Sequence, residues 1–215
     1  MPLRPLVAFV AVFSACLASL SGATAKPNII YILADDLGFA ELGCNRADKF
    51  KTPNIDALAN SGVRFTHFYT APLCGPSRSL ILTGRYAFRT GAVTQDACKT
   101  LVRTGDKAEQ MIPTVLKQAG YATALIGKWG QLSPSGSPAE WGFEHDFHFK
   151  ASGMYWNSTR VKTMTEDGKV RGDPDSYVID GKTIPVKDSE YIPDLMHKDA
   201  VAWLEAHKGG PCFLY

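Results

Sequence analysis

Apolar positions follow three rhythms along this chain. From Leu6 to Leu20 they are nearly continuous, preceded by the single charge of Arg4 and followed by small residues ending in Ala23-Thr24-Ala25. A basic start, a short apolar stretch and an A-x-A ending mark a secretory signal peptide over residues 1–25, cut before Lys26. The run is short for a membrane-spanning helix, so an uncleaved anchor is the weaker alternative. The second rhythm is the compact apolar run. Asn28 to Ala34 (N-I-I-Y-I-L-A) shows no polar alternation, as expected of a strand buried on both faces of a parallel sheet. Tyr121 to Ile126 and Cys212 to Tyr215 read the same way, and Val63 to Tyr69 is a further short strand candidate. The third rhythm is helical. Thr52 can cap a helix with Pro53 at its first position and Ile55, Leu58 and Ala59 on its apolar face, before Gly62. Pro76 to Leu82, Thr114 to Gln118 and Glu190 to His207 are the other helices, each followed by glycine.

Alternating strands and helices with glycine stops predict an α/β fold with a mostly parallel sheet. Residues 130–190 break the pattern. They carry Pro134, Pro138, Pro174 and Pro185 among aromatics and charges, and read as long loops with a hairpin near Asp167-Gly168. Asn157-Ser158-Thr159 is a formal glycosylation sequon.

Composition narrows the class. Apolar residues make up 45% of the 215 and charged residues 20%, which excludes a collagen-like repeat, a coiled coil and a disordered chain. A net charge of +2 is too balanced to argue for nucleic acid or an acidic lipid surface. After removal of the leader four cysteines remain: Cys44, Cys74, Cys98 and Cys212. They are too sparse for a disulfide scaffold and form no C-x-x-C pair; burial or a single bridge is expected of those without a chemical role.

Two places carry candidate chemistry. Asp35 and Asp36 directly follow the first strand, and ligands of open α/β sheets bind beyond the carboxyl ends of the strands. Adjacent carboxylates repel unless a cation neutralises them, so the pair is either an acidic turn or part of a calcium or magnesium site. The second place is Pro72-Leu73-Cys74-Gly75-Pro76-Ser77-Arg78, where a cysteine precedes a helix expected to begin near Pro76. Free backbone donors and Arg78 one turn along favour an anion there. On this ground alone Cys74 is either a nucleophilic thiol or a buried cysteine.

Cys74-Gly75-Pro76-Ser77-Arg78, with Leu80, Ile81 and Thr83-Gly84 after it, closely resembles the first motif of the sulfatase family. Gly120-Tyr121 through Gly127-Lys128-Trp129 looks like the family's second motif, and Asp35-Asp36 stands where the family places an acidic pair after its first strand. Thr52 to Ala59 and Gly62 to Thr66 resemble its framework. The resemblance runs from about residue 27 to Tyr215 and implies an alkaline phosphatase-like α/β fold, of which residues 26–215 are the N-terminal part. It implies that a formylglycine-generating enzyme oxidises Cys74, and that the hydrated aldehyde attacks sulfur to form a sulfate ester. Asp35, Asp36 and residue 74 would then be calcium ligands, Arg78 would hold the formylglycine, and Lys128 would bind sulfate oxygens. The substrate would be a sulfated small molecule or glycan. The address would be periplasmic or extracellular, or lysosomal in a eukaryote.

Two departures bear on that expectation. The family continues its second motif with histidine, a proton-transfer group, where this chain has Gly130. Loss of such a group costs roughly 10²- to 10⁴-fold in rate. His145 and His148, read as loop residues, are the nearest substitutes in sequence, whereas His67, His197 and His207 read as packing or surface residues. Family members also continue well past a strand like Phe213-Leu214-Tyr215, with a second histidine, an Asp-Asn pair and a lysine, so the fragment alone is expected to be inactive. The alternatives are a phosphatase or phosphodiesterase on the same fold, or a non-catalytic relative that binds sulfated ligands.

Overall fold

The computed structural model describes residues 25–101, 108–129, 137–149, 155 and 176–215. Six strands form one sheet in the order β1-β6-β2-β3-β4-β5. They are β1 (Ile29–Ile30), β2 (Ala122–Gly127), β3 (His145–Phe149), β4 (Ser176–Ile179), β5 (Lys182–Pro185) and β6 (Cys212–Leu214). β1, β6, β2 and β3 run parallel, while β4 and β5 are antiparallel additions beyond β3. The helices are α1 (Pro53–Ser61), α2 (Cys74–Thr83), the single turn α3 (Ala87–Thr90), α4 (Ile112–Gln118) and α5 (Ile192–His207). The expected mostly parallel α/β sheet is therefore present, and it is not closed into a barrel.

Both faces of its centre are buried, which is why β2 and β6 read as unbroken apolar runs. On one face Leu125 and Phe213 pack with Leu82 of α2 and with Met111, Trp129, Trp141 and Phe143. The Phe143 ring stacks on Phe213 at 6.2 Å and meets the Trp129 edge at 6.0 Å. On the other face Ala124, Cys212 and Leu214 receive Trp203, Ala200 and Leu204 of α5. Among the described residues no helix is long and apolar enough to cross a membrane.

Several expectations are corrected. Residues 130–190 are not simply loops, since β3, β4 and β5 all lie among them. β3 was hidden because its sequence, His-Asp-Phe-His-Phe, places ionisable groups in a buried strand where only pairing makes them tolerable. The β4–β5 hairpin turns at Asp180-Gly181, with φ 48° and 77°, as an Asp-Gly hairpin turn requires. The site expected at Asp167-Gly168 lies outside the described residues, as do residues 1–24, the sequon and Gly130. Val63 to Tyr69 is not a strand; Val63, Phe65, Phe68 and Tyr69 are well exposed, and the segment joins no ladder. β1 is shorter than the apolar run, because only Ile29 and Ile30 pair with β6 in the ladder, extended by one bond from Tyr31 N–H to the Leu214 carbonyl. Thr52 occupies the cap position of α1 without a capping bond: its hydroxyl accepts the Gly43 N–H and donates to Asp56. The apolar residues of α1 face solvent, with Leu58 67% exposed.

Candidate active site

Three parallel strands deliver their carboxyl ends to one place. β1 leads to Asp35, β2 to Lys128 and β6 to Tyr215, and the N-terminal half of α2 brings Cys74 and Arg78 alongside. Lys128 Nζ donates to Asp35 Oδ2 at 2.9 Å, and Arg78 Nη2 reaches Asp35 Oδ1 at 3.5 Å. Arg78 Nη1 donates to the Lys128 carbonyl at 2.8 Å and to the Tyr215 hydroxyl at 3.3 Å. The two cations are nearly enclosed, their side chains 5% and 10% exposed, so their charges act through little solvent. Burial opposes ionisation of Asp35, but hydrogen bonding and charge from Lys128, with Arg78 added, outweigh it and hold the carboxyl below its ordinary range. Burial pushes the Tyr215 hydroxyl up, and Arg78 only partly offsets this.

The helix begins two residues earlier than expected, at Cys74. Leu73 is its cap residue and Cys74 its first residue, with Pro76 inside the first turn where no amide bond is lost. Cys74 and Arg78 are therefore four residues apart on one helix face. Asp35, Asp36, Cys74, Ser77 and Arg78 line one cavity of about 240 Å³. A larger apolar cavity of about 520 Å³ shares Asp35 and Arg78 and adds Lys128, Tyr31, Tyr155 and Tyr215. Asp36 takes φ 54°, a left-handed conformation that Asp tolerates better than most residues.

Among the described residues Cys44, Cys74, Cys98 and Cys212 form no disulfide with one another, and Cys98 and Cys212 are buried. Burial, with Cys74 nearby, pushes the Cys98 thiol up to about 11. Two histidines depart from their sequence reading. His145 and His148 are strand residues bound to carboxylates: His148 to Asp146 at 2.8 Å, His145 to Asp199 at 2.8 Å and to Asp180. His197 is exposed on α5, as its surface reading expects, and also lines the larger cavity. His207 does pack, stacked on Trp203. Sequence reasoning missed Tyr215 and Gln95. Tyr215 carried only the strand pattern, and Gln95 sits in a loop with no motif of its own, although its carboxamide donates to Cys74 Sγ at 2.8 Å.

Calcium can be tested against these residues. Among the described residues no group of three or more His, Cys, Asp and Glu side chains is arranged to hold a metal. Asp35 and Asp36 are hard oxygen donors beside the cavity that Cys74 lines, so they fit part of a calcium shell. With an oxygen at position 74 they remain short of the roughly six to eight that calcium takes. Arg78 Nε is buried with no hydrogen-bond partner among the described residues, and an anionic oxygen is the acceptor it lacks.

The sheet order, the crossover connections and a charged cluster beyond the parallel strand ends define a mostly parallel α/β protein of the alkaline phosphatase-like kind. The chain belongs to the sulfatase family, whose profile matches residues 27–215. It is similar to human arylsulfatase D, 47% identical over 112 residues that span 49% of this chain and 19% of that protein. It is also similar to human N-acetylgalactosamine-6-sulfatase, 38% identical over 154 residues, 65% of this chain and 29% of that one. Among solved structures it resembles BT4656 in complex with its substrate D-glucosamine-2-N,6-O-disulfate, with TM-score 0.67, 32% identity and coverage of 88% and 34% of the two chains. PsFucS1 sulfatase from Pseudoalteromonas sp. matches with TM-score 0.69 and 28% identity, covering 100% of this chain and 47% of that one. The chain thus spans less than half the length of these relatives.

Proposed function

We propose that residues 26–215 are the N-terminal part of a catalytic domain that hydrolyses sulfate esters, exported after loss of residues 1–25. Family membership supports the reaction class. The observation that carries it to this chain is the Asp35–Lys128–Arg78 cluster, set beside Cys74 at the parallel strand ends. Formylglycine at position 74 would supply the oxygen nucleophile, and calcium held by Asp35, Asp36 and that residue would supply positive charge to the sulfate.

The side chains have separable tasks. Lys128 spends one of its three ammonium donors on Asp35, which leaves others to hold sulfate oxygens as negative charge grows on them. Arg78, anchored by the Lys128 carbonyl and the Tyr215 hydroxyl, orients residue 74 from the same helix face and offsets the carboxylates. The apolar wall with Tyr31 and Tyr155 suits the ring of an aryl or sugar sulfate. The names of the similar proteins favour a sulfated glycan or aryl sulfate as substrate. Because the oxygen donors within these residues are too few for calcium, the 215-residue chain by itself is expected to be inactive.

The test is turnover by the intact gene product, co-produced with a formylglycine-generating enzyme and assayed on matched aryl sulfate and aryl phosphate esters. Sulfate release that vanishes in Cys74→Ala is the expected result. Faster phosphate release would make it a phosphatase. Tight binding of a sulfated glycan without turnover would make it a binding protein, with Gly130 as the reason.

A further inference from the structure

The Gln95 carboxamide grips both sides of the Cys74–Gly75 peptide unit. Its Oε1 accepts the Gly75 N–H at 2.7 Å, one of the amides that a helix start leaves without an intrahelical acceptor, and its Nε2 donates to Cys74 Sγ at 2.8 Å. The loop that carries it is built to hold it. Thr94 Oγ1 accepts the Ala97 N–H at 3.1 Å, at the start of the 3-10 turn Ala97–Thr100, and Ala92 and Cys98 on either side are fully buried. Gly75 completes the fit. A Cβ there would stand 2.3 Å from Gln95 Oε1 and 3.1 Å from Cys98 Sγ, so the absence of a side chain at position 75 makes room for the carboxamide.

We propose that Gln95 is a positioning residue for position 74, fixing the direction of that side chain by donating to its terminal atom. The proposal rests on the reading of residue 74 as the nucleophile. An amide donor serves sulfur before maturation and an aldehyde or hydrate oxygen after it, so the same grip acts on both forms. Orienting one oxygen by a fixed donor leaves the other to face the cavity lined by Asp35, Asp36 and Arg78. The acceptor half of the grip, at Gly75, is structural; the donor half does the positioning.

Two variants separate the halves. Gln95→Glu keeps an acceptor for Gly75 and loses the donor, whereas Gln95→Met loses both. In the full chain made without the maturing enzyme, the rate of iodoacetamide alkylation at Cys74 is read by mass spectrometry, with circular dichroism confirming the fold. One side-chain donor to the sulfur is worth roughly tenfold in rate, so both variants are expected to slow, Gln95→Glu at least as much as Gln95→Met. In matured protein both should form oximes with an aminooxy probe several-fold faster than wild type, because the hydrate loses its donor. Gly75→Ala, which displaces the carboxamide, should behave as Gln95→Met does. Alkylation at the wild-type rate in Gln95→Met overturns the proposal, as does a wild-type rate in Gln95→Glu alone, which would leave Gln95 only a helix anchor. Absence of formylglycine in wild-type protein would instead defeat the sulfatase reading and leave the thiol measurement standing.

Discussion

Lys128 shows how much a single side chain is asked to do. Its ammonium is nearly enclosed, it holds Asp35 at 2.9 Å, and its own carbonyl anchors Arg78. Lys128→Met keeps the backbone carbonyl and most of the side-chain volume while removing the charge. The account expects kcat to fall by roughly 10²- to 10³-fold, as for loss of one preorganised transition-state donor, with a smaller change in KM. Steady-state kinetics on an aryl sulfate check this. Asp35, Asp36, Cys74, Arg78 and Lys128 were legible because each sits in a short motif at a strand end or helix start. Gln95 and Tyr215 were not. Each reaches the site by folding across more than 20 or 130 positions, to Cys74 and Arg78, and neither residue type by itself announces chemistry.

Among the elements, β3 is where pattern and structure part. Its buried polar residues exist in pairs: Asp146 with His148, and His145 between Asp180 of the hairpin turn and Asp199 of α5. Periodicity has no symbol for a charged residue that is buried because its partner arrives from a distant element. Burial works against the charged His145 ring, but the hydrogen bond and charge of Asp199, then Asp180, outweigh it and raise its pKa above 6.5. A raised folded value means the pairing stabilises fully below the ordinary histidine value and is lost as pH climbs through the folded one. Melting temperature against pH should therefore fall over that interval in wild type and stay flatter in His145→Gln. The turn before β3 is equally specific. Gly142 has φ 100°, and a Cβ there would lie 2.5 Å from the Thr114 backbone nitrogen. Thr114 and Thr123 hydroxyls donate to the Trp141 and Gly142 carbonyls, both at 2.7 Å, so the contact cannot open freely. Gly142→Ala should cost roughly 2–4 kcal/mol in urea unfolding, from the left-handed backbone and the overlap together.

For the molecule as a whole, the sheet does the assembling. Parallel strands with both faces covered end together, so residues from three strands and one helix start converge without any long-range motif having to specify it. That architecture was readable from the apolar runs at Asn28, Tyr121 and Cys212 and the helices between them. What misled was apolar sequence that is not core: Leu58, Phe65, Phe68 and Tyr69 are exposed, so their hydrophobicity predicted burial that the described residues do not provide. The central claim is that this assembly prepares position 74 to be a formylglycine nucleophile. The most direct measurement is the mass of the peptide containing residue 74, taken from protein exported by cells that make a formylglycine-generating enzyme. The account predicts an aldehyde at that position, trapped by an aminooxy reagent and absent from Arg78→Ala. An unmodified Cys74 thiol, in cells that convert a control sulfatase fully, would contradict it.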